Sequence, residues 1–373
     1  MKSWDAIVIG GGIIGLSLAI SLRKEGLRVL VVERGEPGGE ASSAAAGMLA
    51  GSGSEIPAPL KSLALESARI YPEFVRETED ESGIKVDLRD QGTILISREG
   101  EFPEAAEPLT PEKMSALEPV LSAWLLRSPR QAAPQHAAAY LEERSVDPRA
   151  LVSAAAEAAR HRQVDLSSGT EVKGVLLSRG RAAGVRTDKS SYSAGMVINC
   201  AGAWAGCIPP MKFPVRPVKG QMLAVVGGVS LCHVVRGEKV YLVPRTDGRI
   251  VIGSTLEDVG YDKRIDVSTI QQLFNAACEL VPALEKSKKH EDWTGLRPGT
   301  RDDLPILGET STAGYFIASG HYRDGILLAP ITARVMTEVV LRRGPWHDLA
   351  VFSPQRFTAA IHHGATESRR EAI

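Results

Sequence analysis

The sequence predicts a mixed fold class, α/β plus α+β, in which a parallel-sheet layer is interrupted by an antiparallel sheet and then resumed. Three observations predict it. An apolar strand, a glycine-rich turn, a helix and a second strand follow one another between Asp5 and Glu33; two apolar runs flank Thr246-Asp247-Gly248; and a strand near the C-terminus leads through a turn into a long apolar helix. At 373 residues the chain exceeds the usual size of one domain, so two domains are expected.

The first unit reads DAIVIGGGIIGLSLAISLRKEGLRVLVVE. Ala6 to Ile9 is the buried strand and Val29 to Val32 the second, with Gly10-x-Gly12-x-x-Gly15 between them. Gly10 permits the turn, Gly12 leaves no side chain between the backbone and a pyrophosphate, and Gly15 lets the helix pack close to the strand. A diphosphate would then rest on amide groups at the positive end of the helix. Glu33, at the end of the second strand, is placed to accept hydrogen bonds from a ribose and disfavours a ribose phosphate, so FAD or NAD fits better than NADP. A glycine turn alone is a weak sign, but here strand, helix and acid fall in register.

The small-residue tract Gly38 to Ser54 is read as a loop that hugs a flat ligand rather than as a linker. Lys61 to Glu81 has helical spacing, with Leu63, Ala64, Ala68, Tyr71 and Val75 on one side. Gly92 to Ser97 is a strand, and Glu101 to Pro119 reads as surface helices and loops. Val146-Asp147-Pro148 opens a helix, with Asp147 as its cap and Pro148 in its first turn, and Leu151 to His161 is rich in alanine. Strands follow at Glu171 to Leu177 and Met196 to Asn199, the latter entering the turn Cys200-Ala201-Gly202-Ala203-Trp204.

From Val218 the pattern is antiparallel: GQMLAVV, VYLVPR and RIVIGS, the last two joined by an Asp-Gly hairpin turn. Ser268 is read as the cap of a helix to Leu280, and Trp293 as the start of the last region. There the strand Tyr315 to Ala318 passes through Gly320 to Asp324 into a helix that Arg342, Arg343 and Gly344 end. The order is nucleotide fold, sheet, nucleotide fold, so both domains are discontinuous.

Composition excludes several classes. The 44 basic and 45 acidic side chains give a formal net charge of -1, which leaves no footprint for nucleic acid or an anionic membrane. Cys200, Cys207, Cys232 and Cys278 form no CxxC and no metal-like pairing with histidine, so no metal is expected and a reduced, cytoplasmic setting is. No run of about 18 apolar residues is present to span a membrane.

With these motifs in view, the chain resembles the FAD-dependent D-amino acid oxidase superfamily and, within it, the glycine oxidases of thiamine biosynthesis. The resemblance runs through most of the chain and is carried by GGGIIG (Gly10 to Gly15), SAAAGML (Ser43 to Leu49), VYLVPR (Val240 to Arg245), GLRPGT (Gly295 to Thr300) and GHYRDGILLAP (Gly320 to Pro330). It implies a Rossmann-like, glutathione-reductase-type FAD domain (1–85, 145–215 and 295–373) and a discontinuous antiparallel-sheet substrate domain (86–144 and 216–294). It further implies that non-covalent FAD touches, besides Gly10, Gly12 and Gly15, residues Ile13, Ile14, Glu33, Arg34, Ala41, Ser42, Ala46, Gly47, Met48 and Val172. His321, Tyr322, Arg323, Asp324, Gly325, Ile326 and Leu327 complete the implied set, where the last helix can stabilise negative charge on reduced flavin.

Substrate recognition is implied for Arg297, Tyr241 and Arg323. The planar guanidinium of Arg297, read here as sitting in a tight loop, suits a carboxylate, and Tyr241 adds a hydroxyl. His321 is read as a loop histidine satisfied by backbone. The chain departs from the family pattern at Lys239, where a histidine is common, and at Leu256, where a methionine is, which bears on the substrate side chain. None of the four cysteines stands where covalently flavinylated relatives attach the cofactor. The implied reaction is oxidation of glycine, sarcosine or a small D-amino acid, with dioxygen as acceptor and hydrogen peroxide as product. The rivals are a D-amino acid dehydrogenase with another acceptor and a flavoprotein without turnover; self-association is expected.

Overall fold

The computed structural model describes residues 3–51, 56–97, 101–122 and 137–357. Ser52 to Ser54, the end of the small-residue tract, lie outside them. The first sheet is built on β1 (Trp4–Ile9), flanked by β2 (Val29–Val32) and β12 (Ser191–Asn199) in parallel; β9 (Asp165–Ser167) extends it beyond β2 and β19 (Tyr315–Ser319) beyond β12. The early half of β12 also pairs antiparallel with a ribbon of β10 (Val172–Ser178) and β11 (Arg181–Thr187), and β18 (Ile306–Glu309) pairs antiparallel with β19.

Alternation along β1 explains why this sheet is covered on both faces. Ala6 and Val8 join one apolar cluster and Ile7 and Ile9 the other, all nearly fully buried. The first cluster is closed by α1 (Ile13–Lys24), α3 (Lys61–Ser82), α5 (Pro148–His161) and α7 (Gly325–Val340). Asp147 caps α5 as expected, accepting from the amides of Arg149 and Ala150.

The second sheet runs β17 (Lys288–Gly299), β13 (Arg216–Val226), β16 (Arg249–Gly253), β15 (Tyr241–Pro244), β14 (Val234–Arg236), β5 (Thr93–Ser97), β7 (Ala137–Leu141) and β6 (Glu107–Leu109). It departs from the expected antiparallel pattern at one place, where β14 and β5 run parallel. These strands come from distant segments, so no hairpin fixes their relative direction. The Pro- and Glu-rich stretch holds β6 and α4 (Pro111–Leu117). Behind the sheet, α6 (Val267–Leu280) buries Ile270, Leu273 and Ala277 against Leu223, Leu242 and Ile252. Its cap is Asp266 rather than Ser268: the Asp266 carboxylate accepts from the Ser268 amide and hydroxyl, both at 2.8 Å. A small third sheet joins β3 (Met48–Leu49), β8 (Arg144–Val146) and β4 (Leu88–Arg89), and α2 (Ala41–Ala44) lies in the small-residue tract.

The other face of the second sheet turns toward the first layer. Met222, Val243 and Val251 there pack with Ala46, and Met48, Tyr241 and Trp293 border the group. Direct ties cross the junction: the buried Arg245 donates to the Ala46 carbonyl at 2.6 Å, and the Trp293 indole to that of Ala44 at 3.1 Å. Two expectations at this junction are revised. Trp293 lies inside β17 rather than beginning a region, and Arg297 belongs to the same strand rather than to a tight loop. Register with β13, from Arg216 opposite Gly299 to Val226 opposite Lys288, holds this glycine- and charge-rich segment extended despite its composition. The strand therefore continues across position 294/295.

Candidate active site

A cavity of about 540 Å³ lies between the two sheets, within the size range of small-molecule sites. At one end is the glycine turn. Gly10 has φ +105°, and a Cβ there would sit 2.5 Å from the Cys200 carbonyl oxygen; a Cβ on Gly15 would come within 2.0 Å of the Gly10 oxygen. Gly12 caps α1 without a side chain and no acid stands in the first turn, which leaves the positive helix end open to an anion. The Ser42 hydroxyl accepts from the Ile13 amide at 3.0 Å. Glu33 accepts from the amides of Gly11 at 2.7 Å and Gly35 at 2.8 Å, which fixes its carboxylate at the tip of β2.

A loop from the second sheet closes over this end. The Arg34 guanidinium lies 3.5 Å from the centre of the Trp204 ring, whose other neighbour, Tyr261, stacks at 5.4 Å. Lys263 pairs with Glu40 at 2.9 Å, and Glu40 with Arg34 at 2.7 Å. Burial and the neighbouring Cys207 thiol raise the Tyr261 hydroxyl to about 12, so it stays protonated and donates to the Ala203 carbonyl. A helix N-terminus capped by a glycine and free of acids, with the Ser42 hydroxyl beside it, and an anchored acid at the end of β2 fit the diphosphate and ribose of a dinucleotide.

The other end is built on the second sheet. One row of paired residues crosses it: Arg236, Tyr241, Gly253, Met222 and Trp293. Gly253 admits the Tyr241 ring, for a Cβ there would fall 2.5 Å from the phenol oxygen, and the Tyr241 hydroxyl lies 3.9 Å from the Met222 sulfur. Gly220 plays the same part for Arg297, whose Nη1 would stand 2.2 Å from an added Cβ. The guanidinium donates through Nη1 to the Thr255 carbonyl at 3.2 Å and through Nη2 to the Ser254 hydroxyl at 2.7 Å. Among the described residues no carboxylate pairs with it. Three of its five N–H groups are thus left on the wall of the cavity.

The turn into α7 closes the site. His321 is buried, and its Nε2 meets the Thr332 hydroxyl at 3.0 Å, a side-chain partner rather than the expected backbone one. Burial drives its pKa down to about 3, so the ring is neutral at physiological pH. Tyr322 takes the left-handed region at φ +47°, its amide bonded to the Pro298 carbonyl at 3.0 Å, which pins the turn to β17. Gly325 and Ile326, at the start of α7, line the cavity.

Of the residues singled out from the sequence, the cavity wall gathers Gly10, Gly12, Ile13, Ile14, Glu33, Arg34, Ala41, Ser42, Ala46, Gly47, Met48, Val172, Tyr241, Arg297, His321, Tyr322, Arg323, Gly325 and Ile326. It does not include Gly15, which packs under the turn, Leu327, which faces the helical core, or Asp324, at the N-cap of α7. Lys239 and Leu256 lie on the wall with largely exposed side chains, Lys239 3.5 Å from Glu279. Sequence reasoning missed Ser254, Trp204 and Arg236. Trp204 alone left a local sign, within a small-residue turn after a buried strand; Arg236 is placed by pairing with Tyr241, and its guanidinium lies 3.6 Å from the buried carboxylate of Glu143.

Comparison with known proteins gives a consistent picture. The profile of the family described as FAD dependent oxidoreductase (DAO) matches residues 5–339. A glycine oxidase of Geobacillus kaustophilus is 35% identical, over 96% of this chain and 98% of that protein. The bifunctional protein ThiO/ThiG of Trichormus variabilis is also 35% identical, over 95% of this chain but 55% of its own length, so the chain spans about half of that relative. Among solved structures, the glycine oxidase from Geobacillus kaustophilus superposes with a TM-score of 0.87 at 31% identity, over 95% of this chain and 99% of that one. An iminodiacetate oxidase from Chelativorans, TM-score 0.81 at 24% identity, shares the fold.

Proposed function

Because the chain belongs to the FAD-dependent oxidoreductase family, we propose that it oxidises the carbon–nitrogen bond of glycine or another small amino acid, sarcosine or a small D-amino acid included. The products are the imine, which water converts to the oxo acid and ammonia, or methylamine where sarcosine is the substrate, and hydrogen peroxide formed from dioxygen. The observation that carries this reading is Arg297. It is a fork-shaped cation on a cavity wall with no carboxylate partner among the described residues, and a substrate carboxylate is the complement of that fork.

When bound, FAD supplies the acceptor for the pair of electrons that leaves with the α-hydrogen. The chain's own part is to hold and orient. Arg297 and Tyr241 grip the carboxylate, and Met222 and the neutral His321 add no charge of their own to the wall. Arg323, at the rim, completes the set. The Gly10–Gly15 turn, Glu33, Arg34 and the tract from Ala41 to Met48 hold the dinucleotide, and His321 to Arg323 with Gly325 and Ile326 border it. No covalent link is proposed, since the wall cysteines Cys200 and Cys207 belong to the nucleotide end, and burial holds the Cys200 thiol far above its usual range.

The proposed FAD domain is built around the first sheet and the proposed substrate domain around the second, to which the whole of β17, on both sides of position 294/295, belongs. Among the described residues no helix is long and apolar enough to cross a membrane and no cluster suited to a metal occurs. Supply of an imine for thiamine thiazole synthesis, which the likeness to the ThiO/ThiG proteins supports, and a cytoplasmic homo-oligomer complete the proposal. The test is anaerobic mixing of the FAD-loaded protein with glycine, sarcosine, D-alanine and D-proline while flavin absorbance is followed, and then admission of air with a peroxide assay. Bleaching by glycine and peroxide on reoxygenation are expected. Bleaching by a D-amino acid alone, without peroxide, overturns it in favour of a dehydrogenase with another acceptor.

A further inference from the structure

We propose that Ser254 is a second anchor for the substrate, its hydroxyl donating to the same carboxylate that Arg297 grips. This rests on the reading of Arg297 given above and adds a contact to it. A serine hydroxyl has one proton and two lone pairs, whereas a guanidinium has donors only. At 2.7 Å from Nη2, Ser254 Oγ must therefore accept from Arg297, and its own proton must point elsewhere. Among the described residues no acceptor for that proton is present. Ser254 lines the cavity and follows Gly253, whose missing Cβ leaves room for the Tyr241 ring.

The neighbouring hydroxyl shows the contrast. Thr255 Oγ1 donates to Glu257 at 2.5 Å and accepts from the Gln221 amide at 2.9 Å, so it is fully used in bracing the strand end. Ser254, on the cavity side of the same corner, is the hydroxyl left to a ligand. Its bond from a cation polarises its O–H and strengthens it as a donor. A carboxylate seated here then receives N–H groups from Arg297 and the O–H of Ser254, which directs its oxygens and hence the α-carbon.

The test uses the FAD-loaded protein. Acetate, a carboxylate without the amine, is titrated against flavin absorbance, and KM and kcat for glycine are measured in parallel. Ser254→Ala is expected to raise the acetate Kd and the glycine KM by about tenfold, the effect of one hydrogen bond to a charged group. Ser254→Thr, which keeps the hydroxyl, is expected to restore both to within about threefold. To separate a direct contact from mere support of Arg297, Ser254→Ala is repeated in an Arg297→Lys background, where the charge remains but the fork does not. A further loss of about threefold or more supports direct donation; no further loss overturns it. If Ser254→Ala fails to load FAD, Ser254→Cys, with its weak donor, is measured against Ser254→Thr, and equal acetate affinity of the two overturns the proposal. If Arg297→Ala itself leaves KM unchanged, the carboxylate-anchor reading fails, which is a distinct result.

Discussion

Gly220 offers the sharpest perturbation of the site. It lies in β13 with an ordinary negative-φ backbone, so alanine meets no backbone strain. Yet a Cβ there would fall 2.2 Å from Nη1, 2.5 Å from Nη2 and 2.6 Å from Cζ of Arg297. Carbon and nitrogen pack at about 3.5 Å, so the guanidinium must retreat by roughly 1.3 Å, the difference between that separation and 2.2 Å. Its bonds at 2.7 Å to Ser254 and 3.2 Å to Thr255 then stretch toward or beyond the limit of a hydrogen bond. What must move is the end of a flexible side chain, so the fold is retained, and a less free unfolded chain offsets part of any cost. A misplacement of about 1 Å in an anchoring group costs on the order of 100-fold in rate. Gly220→Ala is therefore expected to lower kcat/KM for glycine by about 30- to 100-fold, mostly through KM, with normal FAD content and a Tm within a few degrees. A KM within about twofold of the parent, with FAD bound, refutes Arg297 as the carboxylate anchor.

Other perturbations separate binding of the cofactor, binding of the substrate and stability. Tyr241→Phe removes a hydroxyl whose neighbour in the protein is a sulfur 3.9 Å away, so stability is expected to hold while kcat/KM falls about tenfold; an equal loss of Tm assigns the hydroxyl to packing instead. Gly15→Ala sets a Cβ 2.0 Å from a backbone oxygen and is expected to lose FAD and several degrees of Tm together, measured by flavin absorbance and thermal melting. His321, with its folded pKa near 3, is neutral in the native state but takes a proton in the unfolded chain below about 6.5. Stability from this residue is thus full above that value and lost as pH falls from 6.5 toward 3. His321→Asn, which keeps a polar partner for Thr332, is expected to flatten the fall of Tm between pH 6.5 and 4, and an unaltered acid limb refutes the assignment.

The parts legible in the sequence are those whose causes are local. The β1–α1–β2 unit is written in its glycines, and the close contact expected of Gly15 is the one its missing Cβ allows. The Asp-Gly turn between β15 and β16 is likewise local. The surroundings of Arg297 were not legible, because Thr255 and Ser254 stand 42 and 43 residues away and only sheet register brings them together. For the same reason β17 reads as a loop: WTGLRPG lacks alternation, and its extended form comes from pairing with β13. The cap of α6 shows a finer limit, since Asp266 and Ser268 are both good caps and geometry alone selects the acid, with the serine donating to it.

The order of strands in the first sheet has a consequence for biogenesis. β12 sits between β1 and β19, and α7 packs against both α1 and α3, so pieces separated by most of the chain complete one layer. A nascent polypeptide can thread its glycine turn early, but the wall that His321, Tyr322 and Ile326 contribute arrives only after residue 320 has left the ribosome. The cradle is for that reason incomplete until β18, β19 and α7 have been added, and a fragment ending before β18 has half a cradle, with one edge of β12 bare and the core side of α1 exposed to water.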